Sequence, residues 1–221
     1  MVCILSDTKA DHLWQNTSNI IDFDTVGGIS VSISKIDGRQ QRSERSRQQI
    51  IDAMRKLVEA GVYIPTAQQV ADEAEVNIRT VFRHFSDMDQ LYYEIDRIQR
   101  PSYNRHFVGQ DFTGTLEQRI RLVVEARISC YVETYAMEKA THALLWRSKF
   151  IAETYQEGQN RLRLNLVKML PELKKTKADI RETVDAVTSF EFFERLQMHQ
   201  GLSEKACKKL IYNLVLDLLT N

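Results

Sequence analysis

The sequence predicts an all-α chain of about nine helices, and three observations carry that prediction. Only 8 glycines and 3 prolines occur in 221 residues, too few for the closely spaced turns of a β-sandwich or barrel. From residue 43 onward apolar positions recur at helical spacing, with no convincing strand. The composition, 43% hydrophobic and 27% charged, is that of a chain that buries a core rather than of a disordered one.

Residues 1–38 stand apart. Ile29, Val31 and Ile33 alternate with Ser30, Ser32 and Ser34 between Gly27-Gly28 and Asp37-Gly38, the period of a short strand that could pair with 20–23. A lone hairpin is marginal in water, so the expectation is a disordered or loosely docked arm. Helix one follows from about Ser43 to Ala60, with Ile50, Met54, Leu57 and Val58 on one face and Gly61 at its C-terminal cap. Thr66, after Pro65, caps helix two, which turns Val70 and Ala74 inward. Asn77 caps helix three, packed through Val81, Phe82 and Phe85. Ser86 is the expected cap of helix four, with Asp87 and Asp89 in its first turn. That helix carries Leu91, Tyr92, Ile95 and Ile98, and should stop before Pro101.

A loop with Gly109 and Gly114 leads to helices expected at 115–136, 138–147, 150–170, 174–200 and 203–219, with Pro171 and Gly201 as the clearest breaks. Between Ile211 and Leu219 only Asn213 and Asp217 are polar. So narrow a polar stripe implies burial on more than one side, at a central position or at a subunit interface.

The 30 Lys+Arg balance the 30 Asp+Glu, so no global basic field marks a partner. The distribution is uneven. Asp7, Asp11, Asp22, Asp24 and Asp37 face only Lys9 and Lys35 in the first 38 residues, whereas Arg39, Arg42, Arg45, Arg47, Arg55 and Lys56 cluster within 39–56. Cys3, Cys130 and Cys207 fit neither a disulfide framework nor a zinc spacing, as in a reduced compartment. No apolar run approaches the roughly 20 residues that span a bilayer, and no signal peptide is legible. The expected location is cytoplasmic and nucleoid-associated, with no membrane partner.

Two short helices joined by a tight turn, Thr66–Ala74 and Asn77–Phe85, form the unit that sets a recognition helix in a DNA major groove. Ala71 and Ala74 are the small residues where the helices touch, and Val76 plugs the turn. Phosphate oxygens line the groove, so the outer face of the second helix should hold donors and no carboxylates. That face offers Arg79, Thr80, Arg83 and His84, and no acid occurs from Val76 to Phe85. Helical hairpins of this size also occur as plain packing units.

Across residues 50–91, Ala53, Leu57, Gly61, Thr66, Val70-Ala71, Ala74, Val76, Thr80-Val81-Phe82-Arg83-His84-Phe85 and Leu91 resemble the DNA-binding domain of the tetracycline-repressor (TetR) family. The resemblance implies that Ile78, Arg79 and Thr80 read base edges, with Arg79 suited to a guanine. Arg45, Arg47, Thr66, Gln68, Asn77, Phe82, Arg83 and His84 would hold the DNA backbone. Three departures stand out. Glu75 occupies the place of the family's turn glycine, at a cost on the order of 1 kcal/mol if its backbone is left-handed. Phe82 lacks the hydroxyl of the usual Tyr, and Met88 replaces a Lys, each removing a phosphate contact. The Arg39–Arg47 block would compensate from ahead of helix one.

The resemblance divides the chain into an N-terminal extension (1–38), a helix-turn-helix DNA-binding domain with its connecting helix four (39–100), and an effector-binding and dimerisation domain (101–221). It implies a homodimer on a palindromic operator, with recognition helices about 34 Å apart, most simply a repressor released by a small-molecule effector. Ile180, Val184, Val187, Phe193, Leu210, Leu214, Val215 and Leu218 make a four-helix dimer seam plausible. Tyr103, His106, Phe107, Tyr131, Tyr135, His142, Trp146 and Phe150 mix apolar bulk with donors, as an effector pocket does, although each also suits a core. The alternative is a DNA-binding or partner-binding dimer controlled by protein contacts, with no effector. No catalytic motif points to an enzyme. No cofactor or metal is expected, since Glu138 and His142 at i, i+4 lack a second pair.

Overall fold

A computed structural model describes residues 38–107 and 112–220. The expected strand around 29–33 and the N-terminal arm, apart from Gly38, lie outside the described residues. Among those described there are nine α-helices and no strand. They are α1 (Gly38–Glu59), α2 (Ala67–Glu73), α3 (Ile78–His84), α4 (Met88–Asn104), α5 (Leu116–Leu144), α6 (Lys149–Met169), α7 (Ala178–Val187), α8 (Phe190–Glu194) and α9 (Glu204–Thr220). A 3₁₀ turn, Pro171–Lys174, precedes α7, and a π-helical turn, Arg195–His199, follows α8.

Five expected boundaries differ, each for a local reason. α1 starts five residues early, because the Arg- and Gln-rich run before Ser43 is made of good helix formers. α4 is capped by Asp87, not Ser86: the Asp87 carboxylate accepts from the Gln90 N–H at 2.8 Å, while Ser86 only donates to Asp87. The same helix continues through Pro101 to Asn104. Side-chain bonds at helical spacing hold it, Arg97 to Glu94, Arg100 to Asp96 and Tyr103 to Gln99. α5 has no break at 137, where Ala136, Met137, Glu138, Lys139 and Ala140 supply only helix formers. The expected 174–200 helix, by contrast, is broken at Thr188-Ser189. Thr188 turns its hydroxyl back to the Val184 carbonyl at 2.8 Å, and Ser189 caps α8 through the Phe192 N–H.

The chain falls into two compact units whose boundary crosses α5 and α6. One contains 38–104 and Thr134–Tyr155. Its core joins Ile50, Met54 and Val58 of α1, Val70 of α2, Val81 and Phe85 around α3, and Leu91 and Ile95 of α4. Ala140, Leu144 and Ile151 of α5 and α6 complete that core.

The other unit contains Arg105–Glu133 and 156–220. Ile120, Val123 and Ile128 of α5 are buried, as are Leu166 of α6, Phe190 of α8 and Ile211 of α9. Arg127, only 2% exposed, lies among them. It donates to the Thr188 carbonyl (3.2 Å) and hydroxyl (2.9 Å) and to the Leu162 carbonyl (2.9 Å), with Asp185 at 3.7 Å. Tyr131 Oη donates to the same Thr188 carbonyl at 2.9 Å. The break between α7 and α8 is thus anchored to α5 twice.

Candidate nucleic-acid interface

Two successive helix ends with one hydrogen-bond pattern build the helix-turn-helix. At the end of α1, Gly61 N–H donates to Val58 O and Val62 N–H to Leu57 O, with Gly61 left-handed at φ +89°. At the end of α2, Glu75 N–H donates to Asp72 O and Val76 N–H to Ala71 O, with Glu75 at φ +54°. Both are Schellman ends. The second places a side chain where the first has none, so the strain expected of Glu75 is present.

The starts of α2 and α3 are fixed by side chains. Thr66 Oγ1 accepts from the Gln69 N–H (3.2 Å), and Gln69 Oε1 accepts from the Thr66 N–H (2.8 Å), a reciprocal capping box. Asn77 Oδ1 accepts from the Arg79 N–H at 2.9 Å. Val81 and Phe85 bury one side of α3 in the core. Arg79 and Arg83 are exposed on the other, and neither has an ion-pair partner among the described residues. Ile78 and Thr80 are half-buried. Phe82 is 50% exposed, so it is a surface residue of α3 and not the packing residue expected. α3 therefore presents two free guanidinium groups and an aromatic face, with no carboxylate on the helix.

Around α3, exposed Thr66 uses its hydroxyl in the cap, and Gln68 donates to Asp72 at 2.7 Å. Arg45 is exposed on α1. Arg47 is otherwise engaged. Its guanidinium bonds Glu94 of α4 at 2.8 Å and covers the Phe85 ring at 5.4 Å, tying α1 to α4 over the end of α3. Burial alone would raise the Glu94 carboxyl, but hydrogen bonds from Arg97 and Arg47 hold it below its ordinary value. His84 is half-buried, and its Nε2 has no partner among the described residues. Burial, then the Arg83 and Arg47 charges, lower its pKa below 6.5, against a smaller opposing effect of Glu44. His84 therefore carries less positive charge on this face than a free imidazole would.

The eight residues considered for a pocket do not form one group. Tyr131 belongs to a core, edge-on to Phe190 and stacked on Phe193. His106 binds Glu133 at 2.8 Å beside Arg105, with Phe107 half-buried nearby in sequence. The other five fall in the unit that holds α1–α4. There Tyr103 bonds Gln99, His142 bonds the Tyr155 hydroxyl at 2.9 Å, and Tyr135 is half-buried. Phe150 packs edge-on to Tyr93, and Trp146 is open to solvent, so these two are surface residues and not cavity lining.

The expected dimer seam also needs correction. Val184, Phe193 and Val215 are fully buried within the chain, Val184 and Val215 where α7 and α9 pack on each other and Phe193 against Tyr131, and cannot face a partner. Ile180, Val187, Leu210 and Leu218 are half-buried and Leu214 is exposed. Cys130 and Cys207 are buried. Among the described residues no helix is long and apolar enough to cross a membrane, and no group of three His, Cys, Asp or Glu side chains could hold a metal.

The sequence places Asp87 in the first turn of helix four and not at its cap, and it carries no signal of the Arg47–Glu94 pair. Arg127, within α5, carried no signal either.

A helix-turn-helix built on α1–α4 and followed by five further helices gives the chain an all-α architecture. No protein-family model matches the chain, and no curated protein matches it. Solved structures do. A transcriptional regulator from Rhodococcus sp. Rha1 is similar at 16% identity and TM-score 0.60, covering 80% of this chain and 95% of its own. The multidrug binding protein EbrR, complexed with imidazole, is similar at 17% identity and TM-score 0.62, covering 85% and 97%. SCO7518 from Streptomyces coelicolor A3(2) is similar at 18% identity and TM-score 0.53, covering 80% and 99%. At these identities the likeness is one of fold.

Proposed function

We propose that the protein is a cytoplasmic, nucleoid-associated transcriptional regulator that binds palindromic operator DNA as a homodimer, most simply a repressor released by a small-molecule effector. One observation carries the reading: Arg79 and Arg83 stand exposed and unpaired on a short capped helix with no carboxylate, held by the burial of Val81 and Phe85. Donors without acceptors suit a phosphate-lined groove. Ile78, Arg79 and Thr80, at the N-terminal end of α3, read bases, with Arg79 able to grip guanine O6 and N7. Arg45, Thr66, Gln68, Asn77, Phe82 and Arg83 position the backbone. Residues 39–100 serve as the DNA-binding domain, and 101–221 as the effector and pairing domain.

The fold shared with transcriptional regulators supports this reading, and EbrR with its imidazole supports the effector. Ile180, Val187, Leu210, Leu214 and Leu218 remain to meet a second copy. A second reading, control by protein contacts without an effector, draws support from the scatter of the eight aromatic and histidine residues between core and surface.

The test is selection of fragments from the protein's own genome, followed by fluorescence anisotropy on the selected duplex. Arg79→Ala should cost about 1–3 kcal/mol and relax preference at one base pair per half-site. Absence of duplex binding at low ionic strength, or unchanged selection by the variant, overturns the proposal. A thermal-shift screen against metabolites separates the two modes of control.

A further inference from the structure

The turn between α5 and α6 lies in the same compact unit as α1–α4, and its surface is strongly exposed. Trp146 is 81% and Phe150 43% exposed. Between them, exposed Arg147 has no ion-pair partner among the described residues, and the Lys149 side chain, 90% exposed, has only Glu153 at 3.6 Å. The Trp146 indole N–H, the Arg147 guanidinium and the Lys149 ammonium are donors without acceptor capacity.

Two contacts with α4 place this turn beside the helix-turn-helix. Ser148 donates to Asp89 in the first turn of α4, and accepts from the Ile151 N–H at 3.2 Å to cap α6. Phe150 meets Tyr93 of α4 with ring centroids 5.5 Å apart. α4 begins only three residues after Phe85, which closes α3. Tyr92, next to Tyr93, donates to the Tyr63 carbonyl in the segment leading to the Thr66 cap of α2. Burial raises the Tyr92 pKa and the Arg147 charge opposes that rise, which sets Arg147 near the same hydroxyl. The nearby carboxylates are occupied, Asp89 by Ser148 and Glu153 by Lys149. Met88 and Phe82, closer to the recognition helix, offer no polar side-chain donor.

We propose that the α5–α6 turn is a second DNA contact, in which Trp146, Arg147 and Lys149 bind backbone phosphates flanking the segment read by α3. The proposal rests on the DNA-binding reading of α3 and extends it beyond the helix-turn-helix. Phosphate contacts carry no sequence information, so this surface adds affinity and salt dependence without changing the preferred sequence.

The test uses the full chain with Trp14→Phe, which leaves Trp146 as its one tryptophan, and a selected duplex of about 30 base pairs, roughly three helical turns. Trp146 emission should change in step with anisotropy. Arg147→Gln with Lys149→Gln should weaken binding on the order of tenfold at physiological salt. It should also flatten the plot of log affinity against log salt by about 1.8 per protomer, two phosphates at about 0.9 each. Base preference should stay unchanged. Both residues are exposed, and melting temperature checks the fold; Arg147→Glu with Lys149→Glu should give a larger loss. If the parent chain binds no duplex, the DNA-binding reading fails. If the parent binds but slope and emission stay the same, the turn is no DNA contact. Emission that responds to phosphatidylserine vesicles and not to DNA would assign the turn to a lipid surface and overturn the proposal.

Discussion

Glu75→Gly should stabilise this protein, although it deletes a side chain and shortens no loop. Glu75 sits at φ +54° in a helix end whose two hydrogen bonds reproduce those at Gly61, φ +89°. A left-handed conformation costs a non-glycine residue about 1–2 kcal/mol. Glycine recovers that cost, less about 0.4–1 kcal/mol for the greater freedom of its unfolded chain. The net expectation is about 0.5–1 kcal/mol of stabilisation. For a chain of this length that is a rise of roughly 1–4 °C in melting temperature.

Gly61→Ala supplies the mirror experiment. A Cβ built there meets nothing within 4 Å, so its penalty is purely conformational, and after the same offset for the unfolded chain the melting temperature should fall by roughly 1–4 °C, about 0.5–1 kcal/mol. Glu75→Ala keeps a Cβ in the left-handed turn and should stay close to the parent. Differential scanning calorimetry of the three variants decides the matter. A lower melting temperature for Glu75→Gly, or equal values for Gly and Ala at position 75, would refute the strain argument.

Three further outcomes follow from the geometry. Arg127→Ala should lose about 3–5 kcal/mol in denaturant unfolding, because it removes a buried cation hydrogen-bonded to Thr188 and Leu162 and leaves Asp185 with less compensation; a loss below about 1 kcal/mol would mean those bonds are dispensable. The lowered His84 pKa means that, as pH falls through 6.5, the unfolded chain takes up its proton before the folded chain. Stability present above pH 6.5 should therefore decline below it, and His84→Gln should flatten that decline; parallel curves for the two proteins would remove His84 as the cause. Phe82→Tyr adds a hydroxyl at a half-exposed site of α3, and should tighten duplex binding several-fold, by about 0.5–1.5 kcal/mol for one hydrogen bond. Unchanged affinity in anisotropy would place residue 82 away from the DNA.

Local signals were the legible ones. Thr66 and Asn77 were readable as caps because a short oxygen-bearing side chain before an apolar periodic run serves the free N–H groups of a helix start. Gly61 and the unusual Glu75 were readable because one backbone shape has one preferred residue. Apolar periodicity says that a face is buried, but not against what. Val184, Phe193 and Val215 have the spacing of a pairing seam, and are consumed inside their own protomer. The passage of α4 through Pro101 depends on cross-turn bonds that no propensity scale includes. Arg127 was invisible because a lone arginine within a helix reads as a solvated charge, and only the break at Thr188 gives it carbonyls to satisfy. Trp146 combines apolar bulk with a donor, which suits a pocket or a core, yet it stands in the open.

The core shared by α1–α4 with Ala140, Leu144 and Ile151 sets a rule for anyone cutting this chain. A fragment ending at residue 104 would expose the apolar socket those three side chains fill, so α1–α4 should not survive excision as an autonomous module. Grafting it onto another body would require carrying 134–155 along with it. α1–α4 and the segment that completes their core are for that reason inherited as one piece.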